Sequence, residues 1–323
     1  TYQMYMIHLY LTIESVIVYY MVKIIPDQFD LFIADALDIK VKGDISMGAD
    51  NFFSVSKKPR YTPIVQYQTK GRVTVTPTAG RALATVYDED LLLFLISQLV
   101  HQMDTGGGLG STVHFHGHTF YKFIRKTSYG GSDYQKIWEA LDRLHNTLVE
   151  VTLDDSVVVE EELDKGDLQF HWLADIGRKY KVRSDGSQYG HMFEVSVPPR
   201  LLKAIRSRKV LTYDKAYFKI NSPIERWLYR FVRKSIGQGN DDRFKFWSYE
   251  RLHEKSASED SLRQFKQTVR RIMKRNNHRL FQYTVEEASK GHDKGLYFDV
   301  SPYYSQTSDP LIIEANEATM DNH

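Results

Sequence analysis

The chain contains no cysteine in its 323 residues, so disulfides, thiolate nucleophiles and cysteine-ligated zinc are excluded together. A reducing cytoplasm is the compartment that fits. The glycine run "TGGGLGS" at 105–111 has no Lys-Ser/Thr behind it, which argues against a phosphate loop and against nucleotide binding. Tyrosine is plentiful, at 21, but none in a basic region is accompanied by clustered histidines and carboxylates, so a strand-transfer or nicking enzyme lacks an activated nucleophile and a metal set. His114, His116 and His118 alternate in "VHFHGHTF" and would share one face of a strand. No carboxylate at suitable spacing completes a metal site there. Catalytic residues, cofactors and metals are therefore not expected, and the chain reads as a non-enzyme.

A membrane segment is also poorly specified. The opening "TYQMYMIHLYLTIESVIVYY" is apolar, yet it carries His8 and Glu14, lacks a basic flank and has no small-residue cleavage site. Composition changes at Met21, which reads as the natural initiator behind sequence translated from further upstream. Residues 1–28 are expected to be a non-native or disordered extension, with no membrane partner.

Apolar content of 42% and aromatic content of 13% exclude wholesale disorder, and the length admits two modest domains. Net charge is only +2, but residues 200–280 hold 22 Lys+Arg against 8 Asp+Glu, leaving 21 against 33 elsewhere. This asymmetry marks the C-terminal half as the half that meets a polyanion. Its densest stretch is "SLRQFKQTVRRIMKRNN" (261–277), where no acid lies between Ser261 and Tyr283. At 3.6 residues per turn Leu262, Phe265, Val269, Ile272 and Met273 form an apolar stripe, and the cations centre on the opposite side. The acidic run Glu160 to Glu162 reads as a solvated loop.

The order of elements repeats. "VYDEDLLLFLISQLVHQM" (86–103) predicts a buried helix opened by Asp88, followed by a short helix at 118–124, a glycine turn and a long helix at 132–146. "LVEVTL" and "LQFHWL" then predict a hairpin. Downstream, "SPIERWLYRFVRKSIG" (222–237) is a helix with Ser222 as cap and Pro223 at its first position. A short helix at 248–255, a turn in which Ser256 or Ser258 could cap, a long helix to about Lys274 and a hairpin from "FQYTV" and "LYFDV" follow. Tyr134, Ile137, Leu141 and Leu144 map onto Leu262, Phe265, Val269 and Ile272 at a constant offset.

The fold class predicted is α+β, two tandem winged helix-turn-helix domains. The first covers 29–190 and the second, the main DNA-binding domain, covers 191–305. A flexible tail occupies 306–323. The linking segment 197–220 is expected to supply a helix and a strand to the second domain.

Such a fold places its long second helix in the major groove and its hairpin along the adjacent backbone. Double-stranded DNA is then the polyanion. The candidate contacts are Arg263, Lys266, Gln267, Arg270, Arg271, Lys274 and Arg275 on the long helix, and Lys290, His292 and Lys294 on the hairpin. The first long helix offers Gln135 and Lys136 on a mixed face with Glu139 and Arg143.

Five segments resemble the plasmid replication initiator protein A family of bacteria: 31–44, 52–59, 75–100, 210–237 and 249–272, beginning "LFIADALDIK", "FFSVSKKP", "VTPTAGRALA", "VLTYDKAYFK" and "YERLHEKSAS". The resemblance covers roughly 29–300. It implies an initiator that binds repeated sites in a replication origin, promotes opening of an adjacent A·T-rich tract and recruits the host replication initiator and helicase. It also implies action on the repeats as a monomer, with a homodimer that limits copy number or represses the protein's own gene. The helix beginning "GGSDYQ" departs from the pattern, having no basic residue close behind the two glycines. A winged-helix transcriptional repressor is the alternative, because the fold alone does not choose between them.

Overall fold

The computed structural model describes residues 32–44, 51–68, 71–153, 166–186, 188–236, 244–281 and 283–300. In chain order these form β1 (Val41–Asp44), β2 (Ile64–Gln68), β3 (Gly71–Pro77), α1 (Glu89–Asp104), β4 (Thr112–His116), α2 (Gly117–Phe123), α3 (Gly131–His145), β5 (Thr147–Leu153) and β6 (Gly166–His171). There follow β7 (Asp175–Val182), β8 (Gln188–Ser196), α4 (Pro199–Arg206), β9 (Val210–Tyr213), α5 (Pro223–Ser235), β10 (Phe244–Ser248), α6 (Tyr249–Ser256), α7 (Leu262–Arg275), β11 (Arg279–Leu280), β12 (Tyr283–Lys290) and β13 (Asp293–Val300). The expected extension 1–28, the acidic run 160–162 and the tail 306–323 lie outside the described residues.

One plan occurs twice. In the first unit α1, β4, α2 and α3 lead to the β7–β8 hairpin, which pairs back on β4 in the order β4-β8-β7. In the second, α5, β10, α6 and α7 lead to β12–β13, which pairs back on β10 in the order β10-β13-β12, with β11 at the edge. Gly295 on β13 belongs to this closure, since a Cβ there would sit 2.1 Å from the Trp247 carbonyl oxygen of β10.

Each leading helix is a core element. α1 is buried on all sides, every residue from Glu89 to Val100 being enclosed around the continuous "LLLFLI" run. Phe94 packs edge-on against Phe115, Phe120 and Phe123. α5 buries Trp227, Leu228, Phe231 and Val232 and begins as expected, with Ser222 Oγ accepting from the Glu225 amide and Pro223 in the first turn.

Several expectations change. The hairpin predicted after the first long helix does form, as β5–β6, but it joins a separate sheet in the order β2-β3-β5-β6. The hairpin equivalent to β12–β13 is β7–β8. The boundary placed at 190/191 falls inside β8, and β9 pairs with β1 rather than with the second unit. Asp88 stands at the N-cap of α1, but its side chain makes no capping bond to the helix. Its carboxylate accepts from the Thr85 amide and hydroxyl and from Arg143. α7 is capped by Ser261, not by Ser256 or Ser258.

The two units meet through buried ion pairs. Arg226 Nη1 of α5 donates to Asp90 Oδ1 at 2.6 Å, and Arg230 Nη1 donates to Glu89 Oε1 at 2.5 Å. All four side chains are buried. Removing one partner would strand the other charge in the core, so the pairs resist separation of the units.

Candidate nucleic-acid interface

α7 begins with a reciprocal cap. Ser261 Oγ accepts from the Gln264 amide at 3.3 Å, and Gln264 Oε1 accepts from the Ser261 amide at 3.0 Å. Phe265, Val269, Ile272 and Met273 are buried against α5 and α6, with Leu262 partly buried. Full burial of side chains of this size contributes about 1.5–3 kcal/mol each, which fixes the rotation of the helix. Arg263, Gln267, Arg270, Arg271, Lys274 and Arg275 consequently face outward, while Lys266 is half-buried.

These cations are not equivalent. Lys266 Nζ lies 2.7 Å from Glu250 of α6, and its hydrogen bond holds that carboxyl below its ordinary pKa. Arg270 Nε donates to Glu287 of β12 at 3.1 Å, lowering the Glu287 pKa in the same way, and Arg275 pairs with Glu225 of α5. These three acids arrive from other elements, outside the acid-free run of the helix itself. Among the described residues Arg263, Gln267, Arg271 and Lys274 have no protein partner and form one outward stripe along α7. At the hairpin tip, Lys290, His292 and Lys294 are exposed around Gly291, whose φ of +64° suits the turn.

α3 is differently equipped. Gln135 accepts from Arg178 Nη1 of β7 at 2.7 Å and donates to Glu139 at 3.2 Å. Lys136 Nζ lies 2.9 Å from Asp133, which also receives Lys126 at 2.8 Å and the Gly130 amide. Those hydrogen bonds hold the Asp133 carboxyl well below the usual carboxylate range. Arg143 is half-buried on Asp88 rather than exposed. Both predicted contacts on this helix are thus engaged within the protein. His114 sits 3.7 Å from Glu194, and His118 lies on α2 rather than on the strand with His114 and His116.

The β7–β8 hairpin is a further basic surface, not among the expected contacts. Lys179, Lys181 and Arg183 are exposed on it, beside Tyr180, Val182 and Tyr189, which remain 41, 59 and 39% exposed. Arg183 stacks over the Tyr189 ring at 4.6 Å, and Arg178 packs over Trp138 and anchors the hairpin to α3. "RKYKVRSDGS" carried the signal: alternating basic and apolar residues ending at an Asp-Gly turn. Among the described residues no helix is long and apolar enough to cross a membrane.

Two copies of one helical and hairpin plan, the second bearing an outward stripe of cations and a glutamine with no partner among the described residues, define an α+β protein with a face suited to an extended polyanion. The chain belongs to the replication initiator protein A family, whose model matches residues 42–285. A curated relative, the "Putative replication protein" of Wigglesworthia glossinidia brevipalpis, is 27% identical over 254 residues, spanning 77% of this chain and 86% of the relative. The fold is similar to crystal structures of domains 2 and 3 of RctB. A selenomethionine derivative aligns with a TM-score of 0.58 at 15% identity over 80% of this chain and 97% of that one. A second structure of the same domains aligns with a TM-score of 0.52 at 16% identity, over 77% and 94%.

Proposed function

We propose that this chain is a plasmid replication initiator built from two winged helix-turn-helix units, in which α7 enters the major groove of origin DNA. The outward stripe of Arg263, Gln267, Arg271 and Lys274, without partners among the described residues, carries this reading. It stands on a capped amphipathic helix directly behind a short helix and a turn, the place of a recognition helix. Arg263 and Gln267, in the first two turns, meet base edges, where Arg forms bidentate bonds to guanine and Gln to adenine. Arg271 and Lys274 meet phosphates.

The hairpins of the two units neutralise adjacent backbone, the first with Lys181 and Arg183 and the second with Lys290 and Lys294. Several copies on neighbouring repeats bend the DNA and destabilise an A·T-rich tract, drawing on binding free energy rather than on covalent chemistry. The opened tract then admits the host replication initiator and helicase.

Selection from a random duplex library with the full chain tests the reading. One enriched motif, recurring as direct repeats beside an A·T-rich tract in the replicon, is expected. Absence of enrichment would contradict sequence-specific binding, and a single palindrome at the promoter would favour a repressor.

A further inference from the structure

The carbonyls of a helix's last turn have no partner within the helix. In α6 they are taken from a distance of 189 to 205 residues along the chain. Gln66 Nε2 donates to the Lys255 carbonyl at 2.9 Å, Asn51 Nδ2 to that of Ser256 at 2.5 Å, and Arg60 Nη1 to that of Ala257 at 2.7 Å. All three donors belong to the segment around β2, ahead of the first unit. The three acceptors close the first helix of the second unit's helix-turn-helix.

The donors are themselves locked. The Asn51 amide donates to Gln66 Oε1 at 3.1 Å, and Asn51 Oδ1 accepts from the Phe53 amide at 3.2 Å. Arg60 also donates to the Pro63 carbonyl at 3.1 Å and stands 3.5 Å from Glu259 in the turn. Asn51, Gln66 and Ser256 are 1, 3 and 0% exposed, so water cannot replace these bonds without opening the contact. From Ala257, held in the left-handed region at φ +50°, the turn continues to the cap of α7. The Ser258 amide donates to Ser256 Oγ at 3.2 Å and the Asp260 amide to Ser258 Oγ at 3.3 Å along the way.

We propose that Asn51, Arg60 and Gln66 are positioning residues for sequence recognition: they cap α6 from the segment that runs into β2, hold the α6–α7 turn, and so set the angle at which α7 meets the duplex. The proposal rests on the reading of α7 as the recognition helix. These side chains touch no DNA. Their effect passes through Arg263 and Gln267, whose bidentate bonds tolerate little misalignment.

The test uses the full chain and the duplex it selects, with random duplex as comparison, across a range of salt. Arg60→Ala should weaken cognate binding by roughly tenfold, random-duplex binding by less than about twofold, and leave the salt slope unchanged. In an Arg263→Ala background the Arg60→Ala effect should largely disappear, because the contact it aligns is gone. Arg60→Lys keeps the stem and charge but not the fork, and it carries the same test where Arg60→Ala does not fold. A salt slope reduced by about one on both duplexes would make Arg60 a phosphate contact and overturn the proposal. Unchanged affinity, or full additivity with Arg263→Ala, would overturn it as well. Failure of the wild-type chain to select any duplex would instead remove the recognition-helix reading.

Discussion

Arg143 and Asp88 share two hydrogen bonds, Nε to Oδ2 at 2.8 Å and Nη2 to Oδ1 at 2.7 Å, which join the last turn of α3 to the residue ahead of α1. An arginine on the first unit's long helix is thereby committed to the fold. Arg143→Ala leaves the buried Asp88 carboxylate with only its Thr85 donors, and stability should fall by about 3 kcal/mol in denaturant unfolding. The salt slope of DNA binding should not change, because no phosphate contact is lost.

The contrast between the two long helices gives a second prediction. Lys274 has no protein partner among the described residues, whereas Lys136 is held by Asp133. Lys274→Ala should lower the salt slope by about one unit and weaken binding to all duplexes, while Lys136→Ala should do neither. Equal slopes for the two variants, measured by titration at several salt concentrations, would contradict the assignment of phosphate contact to α7.

Much of this arrangement was legible in the sequence because it is periodic. The α7 stripe, the Ser222 cap and the offset relating Tyr134 to Leu262 are patterns that local chemistry dictates. What stayed hidden was pairing across the chain. "LVEVTL" and "DIGRKYKV" both alternate, and nothing local says that the second rather than the first pairs back on β4. Glu250, Glu287 and Glu225 lie outside 261–275, so their neutralisation of Lys266, Arg270 and Arg275 could not be read from the helix. The expected strand partner of the second unit went to β1 for the same reason.

The β7–β8 hairpin should contribute to DNA affinity. Lys181 is exposed and has no protein partner among the described residues, and Tyr189 supports Arg183. Lys181→Ala should lower the salt slope by up to about one, and Tyr189→Ala should weaken binding by releasing Arg183 from its ring. Gel-shift titration reads both. Wild-type affinity in the double variant would confine DNA contact to the second unit.

Asp133 gives a pH dependence. Its carboxyl is held below the ordinary value by Lys126, Lys136 and the Gly130 amide, so the folded state binds its proton more weakly than the unfolded chain. Its stabilising contribution is fully present above the unfolded value of 3.8 and is lost as pH falls through the folded value. The stability gap between wild type and Asp133→Asn should therefore be constant from neutral pH down to about pH 5 and close in more acidic solution. A gap that widened on acidification, in equilibrium unfolding, would reverse the sign.

Recognition by α7 is tested most directly by binding of Arg263→Ala to the selected repeat and to random duplex under one salt condition. The cognate repeat should lose roughly 1–3 kcal/mol and random duplex far less, because a bidentate base contact disappears while the phosphate contacts of Arg271 and Lys274 remain. Equal weakening on both duplexes would contradict base reading by Arg263, and no weakening on either would remove α7 from the interface.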